Sequence, residues 1–184
     1  LNKIYTRTGD SGKGGLVDGS RVSKSSPRMA AIGEVDEANA AIGTAIAALG
    51  RGEVRDKLKN IQNEMFDLGA DLATPGNIAG ALRIVAGQVE RLELEIDAMN
   101  ADLDPLNSFI LPSGSAGVSA LHLARTVVRR AERAAVALSE VEGLNPQLLA
   151  YLNRLSDHLF VAARHVAARE GGDVLWKPGE TRGE

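Results

Sequence analysis

One stretch of sequence decides the fold of this chain, Leu121-His122-Leu123-Ala124-Arg125-Thr126-Val127-Val128-Arg129-Arg130-Ala131-Glu132-Arg133-Ala134-Ala135. In a helix its apolar side chains form one stripe that can face a core, made of Leu121, Ala124, Val128, Ala131, Ala135 and Leu138. Arg125, Arg129 and Glu132 form a second stripe beside it, and Arg130 lies on the far side. Guanidinium groups one turn apart are suited to bind a polyanion, although helix arginines also commonly pair with carboxylates or lie in solvent.

The same period of apolar residues predicts four further helices. They cover about residues 27–49, 53–73, 81–100 and 146–170. Ser113 or Ser115 can cap the fourth helix of the chain, and Asn145 followed by Pro146 is a typical start for the fifth. We find no internal repeat and no strand pattern. The sequence therefore predicts an all-α fold, a five-helix bundle.

Composition narrows the class of protein. The chain has 184 residues, of which 44% are hydrophobic and 24% charged, as in a single soluble globular domain. Its net charge of -3 gives no general attraction for nucleic acid or for an anionic membrane, and no apolar run approaches the length of a membrane span. Cysteine is absent, which excludes disulfides and thiolate metal sites.

Residues 1–26 differ from the rest of the chain. They contain Thr6-Arg7-Thr8-Gly9-Asp10-Ser11-Gly12-Lys13-Gly14-Gly15 and, after a short gap, Asp18-Gly19-Ser20-Arg21-Val22-Ser23-Lys24. Glycines let backbone amides converge on an anion, and lysine and arginine add charge. The segment is not a Walker A loop, because Gly14 follows Lys13. We expect a flexible glycine-rich segment that either orders around phosphate or remains a tail.

The histidines do not form a recognisable metal motif. A ferritin-like di-iron site needs Glu-x-x-His pairs, but the residues three before His122, His158 and His165 are Ser119, Leu155 and Ala162. Their spacing does not match a zinc cluster either. Each histidine is therefore expected to be a packed or surface side chain.

With metal motifs excluded, the remaining candidate functional residues are suited to bind a polyanion. It consists of the glycine-rich segment, the stripe of Arg125, Arg129 and Glu132, and a polar edge with Asn153 and Asp157 on the fifth helix. Glu132 could orient the arginines or hold Mg²⁺ through water, as nucleoside triphosphates usually require. These residues predict a nucleotide-binding helical bundle, but they do not define a reaction.

Six motifs in order resemble one known family over some 160 residues. They are Tyr5-Thr6-Arg7-Thr8-Gly9-Asp10-x-Gly12, Gly19-Ser20-Arg21-Val22-x-Lys24, Gly33-x-Val35-Asp36-Glu37-x-Asn39-x-x-Ile42-Gly43, Phe109-Ile110-Leu111-Pro112-x-Gly114, Arg125-x-x-x-Arg129-Arg130-Ala131-Glu132-Arg133 and Tyr151-Leu152-Asn153-Arg154-Leu155-Ser156-Asp157. In this order and spacing they resemble the PduO-type ATP:cob(I)alamin adenosyltransferases. The chain departs from the family at Lys13-Gly14 and Val17-Asp18.

The resemblance implies a homotrimer of five-helix bundles with active sites between adjacent subunits. It implies transfer of the 5'-deoxyadenosyl group of ATP to the cobalt of cob(I)alamin, with release of triphosphate. Residues 1–26 would be an ATP-binding segment and residues 27–184 the helical bundle, within a single domain. A flavoprotein reductase and an adenosylcobalamin-dependent enzyme are expected as partners, with Mg²⁺ as a cofactor.

The resemblance also implies roles for individual residues. The ATP contacts would be Thr6, Thr8, Gly9, Lys24, Arg129, Arg130, Glu132 and Asn153, with Glu132 as the expected residue for Mg²⁺. Asp36 and Arg125 would form a salt bridge across the subunit boundary beside the corrinoid. Phe109 would close the lower face of the corrin and keep the benzimidazole base from the cobalt.

Two other functions stay open on the sequence alone. The chain could be a corrinoid carrier or nucleotide-sensing module with little turnover, or a structural trimeric bundle without a small ligand. A cytoplasmic location is expected, or an organellar matrix if a leader preceded Leu1. No membrane or nucleic-acid partner is expected.

Overall fold

The computed structural model describes residues 4–182, and within that range the chain forms five α-helices and one small two-stranded sheet. The helices are α1 Pro27–Ala48, α2 Glu53–Leu72, α3 Ala86–Asn100, α4 Ala116–Ser139 and α5 Pro146–Ala167. Helix α4 lies between α1 and α5, α2 packs on the other side of α1, and α3 packs on the other side of α5. No helix among the described residues is long and apolar enough to cross a membrane.

The predicted apolar stripe of α4 forms the centre of the core. Leu121, Ala124, Val128, Ala131, Ala135 and Leu138 are each fully buried. Their neighbours come from the matching stripes of α1 and α5, including Ile42 and Leu155, which are also fully buried. Alanines at three of the six α4 positions allow the helix axes to approach closely, which is why a bundle with few aromatic residues can still be densely packed.

The predicted caps position the two helices that carry most of the charged motif residues. Ser115 accepts a hydrogen bond from Val118 N at 3.3 Å and so begins α4. Asn145 accepts from Gln147 N at 3.1 Å, and Pro146 is the first residue of α5. Each side chain satisfies a backbone N–H that the helix itself leaves unpaired.

The predicted start of the third helix is wrong by five residues. Helix α3 begins at Ala86 instead of residue 81 because a buried carboxylate holds the preceding residues in an extended path. Asp71 accepts from Arg83 Nη1 at 2.7 Å, from Ile84 N at 2.9 Å and from Asn145 Nδ2 at 2.7 Å. These bonds from a distant part of the chain outweigh the local helical propensity of residues 81–85.

The expectation that the chain contains no strand is also wrong. Strands β1 Lys13–Gly15 and β2 Arg21–Ser23 form an antiparallel hairpin in the glycine-rich segment. Arg21 Nη2 donates to the carbonyl oxygens of Thr8 and Lys13 at 2.7 and 2.8 Å, which ties the hairpin to the residues before it. A side chain at Gly14 would collide with Met29 of α1, because its Cβ would lie 2.6 Å from Met29 Cε. Glycine therefore allows the hairpin to pack directly on α1.

The C-terminal tail folds back over the connector between α3 and α4. Ile110 and Leu175 form an antiparallel β-bridge, and Trp176 N donates to Phe109 O at 2.7 Å. Arg164 of α5 secures this arrangement, because it donates to Asp173 Oδ2 at 3.0 Å and to Asp104 O at 2.8 Å. The connector that carries Phe109 is thus held by both the tail and the bundle.

Candidate functional site

A polar surface runs along the edge where α4 and α5 meet. We call it the α4–α5 surface and define it by Arg125, Arg129, Glu132, Asn153 and Phe160. The Arg125 guanidinium carbon lies 6.0 Å from the centre of the Phe160 ring, and Asn153 Nδ2 donates to Glu132 Oε1 at 2.9 Å. The helices are antiparallel, so these two cross-helix contacts lie seven residues apart on each helix, or about 10 Å along the surface. Arg129 is exposed between them.

A pocket of about 440 Å³ opens at one end of this surface. We call it the Phe109 pocket, and it is lined by Leu106, Ser108, Phe109, Ile110, His122, Arg125 and Phe160. Most of these side chains are apolar, and the Phe109 ring is 75% exposed. Large exposed aromatic side chains beside a pocket are typical of a binding site.

The Arg125 side chain is half-buried in the wall of the Phe109 pocket. Burial and the nearby charge of Arg129 lower the pKa of Arg125. Within residues 4–182, Arg125 Nε is buried without a hydrogen-bond partner. Such a group is costly in a folded chain unless a ligand or another subunit completes it.

Arg130 lies away from the α4–α5 surface. Its Nε donates to Glu34 Oε2 at 2.5 Å, and its Nη2 forms an ion pair with Glu37. Hydrogen bonds to Glu37 and Glu34 raise the pKa of Arg130. Arg130 therefore joins α4 to α1 within the chain and is not brought together with Arg129.

The predicted residues of the N-terminal segment form a second cluster. Thr6 Oγ1 and Thr8 Oγ1 are 2.8 Å apart, and the Lys24 ammonium group lies over Gly9. Thr6, Thr8 and Lys24 are all exposed. The segment thus places two hydroxyl groups and one amine on the surface in a small area.

A groove between α1 and α2 lies beneath this segment. We call it the α1–α2 groove; it has a volume of about 460 Å³ and includes Met29, Asp36, Phe66 and Ala73 in its lining. The hairpin rests on its edge, since Gly14 packs against Met29 and Val17 N donates to Ala73 O at 2.9 Å. Asp36 is exposed, and Phe66 is 72% exposed. The groove combines an exposed carboxylate with an apolar floor.

The predicted site residues are therefore divided between two surfaces of one chain. Phe109, Arg125, Arg129, Glu132 and Asn153 lie on or beside the α4–α5 surface, whereas Thr6, Thr8, Gly9, Lys24 and Asp36 lie on or beside the α1–α2 groove. Sequence reasoning gave no role to His122, Phe160 or Phe66. Phe160 follows Asn153 by about two helical turns and so lies on the same side of α5, but nothing in the local sequence indicated its contact with Arg125.

Glu132 is the only residue for which we expected contact with a metal ion. Within residues 4–182, no group of three or more His, Asp or Glu side chains is arranged to hold a metal ion. One oxygen of Glu132 accepts from Asn153, which leaves the other oxygen for a ligand. Mg²⁺ commonly uses one protein carboxylate together with waters and substrate phosphates. The arrangement fits Mg²⁺ that arrives with a nucleotide.

Comparison with known proteins identifies the family. The model of the family described as cobalamin adenosyltransferase matches residues 4–166. The chain is 51% identical over 189 residues to a corrinoid adenosyltransferase of Mycobacterium tuberculosis, with 99% of this chain and 96% of the relative covered. It is 47% identical over 180 residues to a corrinoid adenosyltransferase of Bacillus subtilis, covering 95% and 92% of the two chains.

Solved structures show the same fold. A PduO-type ATP:corrinoid adenosyltransferase from Lactobacillus reuteri superposes with a TM-score of 0.88 at 38% identity, covering 95% of this chain and 99% of that chain. That structure is a phenylalanine-to-alanine variant complexed with cobalamin and ATP. A second structure of the enzyme, an arginine-to-lysine variant complexed with ATP, also has a TM-score of 0.88 at 38% identity and covers 95% and 100% of the two chains. The chain therefore belongs to the cobalamin adenosyltransferase family.

Proposed function

We propose that this chain transfers the 5'-deoxyadenosyl group of ATP to the cobalt of cob(I)alamin, giving adenosylcobalamin and triphosphate. The observation that carries the proposal is the placement of Arg125 and Arg129 beside the Phe109 pocket. Arg129 can bind a phosphate chain, while the apolar pocket beside Arg125 can receive one face of a corrin ring. Full-length relatives named corrinoid adenosyltransferases, and a similar structure complexed with cobalamin and ATP, support the proposal.

The active site is formed by two chains of a homotrimer. The α4–α5 surface holds the Phe109 pocket and the arginines, whereas the α1–α2 groove holds Asp36 and lies beneath the N-terminal hairpin. If the groove of one protomer packs on the α4–α5 surface of the next, Asp36 can pair with Arg125 across the boundary. This arrangement gives the terminal nitrogens of Arg125 a carboxylate partner, since within residues 4–182 no Asp or Glu pairs with Arg125. It also covers the exposed ring of Phe66.

ATP lies between the two surfaces. Thr6, Thr8, Gly9 and Lys24 of one protomer bind it from the N-terminal segment. Arg129, Glu132 and Asn153 of the other bind it from the α4–α5 surface. Arg130 would reach ATP only after it leaves Glu34 and Glu37, so among the expected contacts it is the one that requires a rearrangement.

The protein does not have to activate a nucleophile, because cob(I)alamin is itself strongly nucleophilic. A cobalt–carbon bond forms as the C5'–O bond of ATP breaks, and the electron pair of that bond leaves with triphosphate. Arg129 neutralises the charge that grows on the leaving oxygen. The chain contributes position, exclusion of water and electrostatic stabilisation. Mg²⁺ held through Glu132 would neutralise further phosphate charge.

Phe109 determines which axial ligands can reach the cobalt at the lower face of the corrin. An axial nitrogen ligand stabilises oxidised cobalt, so an apolar ring that excludes both water and the benzimidazole base favours the Co(I) state. The Trp176 ring lies 6.0 Å from that of Phe109 in an edge-on arrangement, and the backbone of the tail holds the Phe109 segment. The ring is therefore supported from behind while its other face is open to a ligand.

An anaerobic assay tests the proposed reaction. The absorbance of cob(I)alamin should decay when Mg-ATP is added to the chain, and adenosylcobalamin and triphosphate should form in equal amounts. The Arg129→Ala variant should lose turnover by about 100-fold or more, with cobalamin affinity much less affected, since the interaction is strongest in the transition state. Equal and modest losses of turnover and cobalamin affinity would instead identify a binding module that does not catalyse the reaction.

A further inference from the structure

The imidazole of His122 is an unsatisfied polar group in the wall of the Phe109 pocket. Its residue is only 2% exposed, and neither ring nitrogen has a hydrogen-bond partner within residues 4–182. The other two histidines each have a partner: His158 Nε2 lies 2.7 Å from Glu95 Oε2, and His165 Nδ1 lies 3.3 Å from Met99 O. His158 Nδ1 is also buried without a partner, but among the described residues His122 is the histidine with both ring nitrogens unpaired.

The neighbours of His122 keep its ring neutral. Burial and the charge of Arg125 lower the pKa of His122, and the charge of Asp173 opposes this effect only in part. A neutral imidazole offers one N–H donor and one lone-pair acceptor. The ring packs against Phe160, with 6.4 Å between ring centres, so its orientation is set by contacts on one side.

Arg125 supplies a third unused group in the same wall. Its Nε is buried without a partner, and it lies one helical turn after His122 on α4. The pocket thus presents two donors and one acceptor amid apolar side chains. A buried polar group left without a partner is unfavourable, so a ligand that supplies the missing hydrogen bonds is stabilised in this pocket.

We propose that His122 and Nε of Arg125 bind a carboxamide arm of the corrinoid. A primary carboxamide both donates and accepts, which matches the neutral imidazole together with the guanidinium N–H, and the corrin ring carries such arms around its edge. This proposal rests on the proposed function of the pocket. His122 is then a positioning residue, because it fixes the tilt and rotation of the ring above Phe109 without touching the reacting atoms.

Two substitutions separate this role from simple packing. His122→Phe keeps an aromatic ring against Phe160 but removes both polar atoms, whereas His122→Asn keeps one donor and one acceptor. The KM for cob(I)alamin should rise about tenfold in His122→Phe and stay within about threefold of the wild-type value in His122→Asn. The KM for ATP should change little in both variants, and any loss of kcat at saturating corrinoid should be confined to His122→Phe.

A binding measurement provides a second readout. Trp176 is the single tryptophan of the chain and lies beside Phe109, so its fluorescence should be quenched when cob(II)alamin binds. The quenching titration should show the same loss of affinity in His122→Phe and the same retention in His122→Asn. If His122→Phe does not fold, His122→Leu provides the same comparison.

Two results would overturn the inference while leaving the proposed function intact. One is wild-type corrinoid affinity in His122→Phe with normal turnover, which would mean that His122 does not contact the corrinoid. The other is an equal loss of ATP and corrinoid affinity in both variants together with a lower melting temperature, which would mean that the ring acts only in packing. Absence of turnover in the wild-type chain would instead count against the proposed reaction.

Discussion

The rings of Phe109 and Trp176 lie 6.0 Å apart at an angle of 60°, and Trp176 N donates to Phe109 O at 2.7 Å. The C-terminal tail therefore supports the aromatic side chain to which we assign the lower face of the corrin. We expect Trp176→Ala to reduce the fraction of cob(II)alamin that becomes four-coordinate, with the KM for ATP unchanged. Electron paramagnetic resonance of the cob(II)alamin complex with ATP measures this fraction. An unchanged four-coordinate fraction would show that the tail does not position Phe109.

Substitution of Phe109 itself should lower the four-coordinate fraction of cob(II)alamin more than Trp176→Ala does. Phe109→Ala opens the lower face to water or to the benzimidazole base, so we expect five-coordinate cob(II)alamin to replace the four-coordinate form almost completely. The affinity for ATP should remain within about threefold of the wild-type value, because Arg129 and the N-terminal segment are unchanged. The cobalamin spectrum and equilibrium dialysis against ATP test the two expectations separately. An unchanged cobalamin spectrum would refute the role assigned to Phe109.

The ion pair of Arg164 with Asp173 should stabilise the folded chain and hold the connector that carries Phe109. Both side chains are largely buried, and Arg164 also donates to Asp104 O, so the pair joins the tail and the connector to α5. Arg164→Met leaves the Asp173 carboxylate without its partner, and we expect the free energy of unfolding to fall by about 3 kcal/mol. Urea denaturation measures this loss. Arg154→Met on the same helix is a matched control, because Arg154 pairs with Glu93 at the surface, where about 1 kcal/mol or less is expected.

Because the folded chain keeps His122 neutral, its free energy of unfolding should depend on pH. An unfolded histidine gains its proton near pH 6.5. The folded pKa of His122 is lower, because of burial and the charge of Arg125. The unfolded chain therefore binds more protons than the folded one as the pH falls through that region, so stability decreases on acidification. Between pH 7 and pH 5 the free energy of unfolding should fall more in the wild-type chain than in His122→Asn. Equal losses in the two proteins would contradict a lowered pKa.

The sequence predicted the helical part of the fold well because that part depends on local pattern. The complete burial of Leu121 through Leu138 on one stripe of α4 follows from the helical period, and Ser115 and Asn145 cap their helices as expected. The hairpin was missed because three-residue strands such as Lys13–Gly15 have no alternating pattern. Its stability comes from Arg21 and from packing on Met29. The start of α3 was misplaced because buried Asp71 acts on it from another helix.

For the candidate site too, the sequence predicted individual residues but not the contacts that form between distant parts of the chain. The stripe of Glu132 and the polar edge of Asn153 were predicted on separate helices, and the structure joins them by a hydrogen bond. The unused nitrogens of His122 could not be predicted, since they depend on which polar groups fail to reach the ring after the chain has folded. The division of the site between two surfaces came only from resemblance to a family. In the structure of a single chain, the residues assigned to the site lie on two separate surfaces.

We propose that each active site combines the α1–α2 groove of one protomer with the α4–α5 surface of another. Mixed trimers of two inactive variants test it most directly. Asp36→Ala damages only the first surface and Arg129→Ala only the second, so some sites in a mixed trimer receive two intact halves. Random assembly from equal amounts should place intact halves together in up to about a quarter of the sites.

The measurement is the adenosylation rate of trimers purified through different tags on the two co-expressed variants. Trimers in which both tagged chains carry Arg129→Ala are the control and should remain inactive. We expect these purified mixed trimers to recover about a third of the wild-type rate per site, because every trimer that contains both variants has one intact site out of three. Mixed trimers no more active than the separate variants, or a fully active monomer, would contradict it.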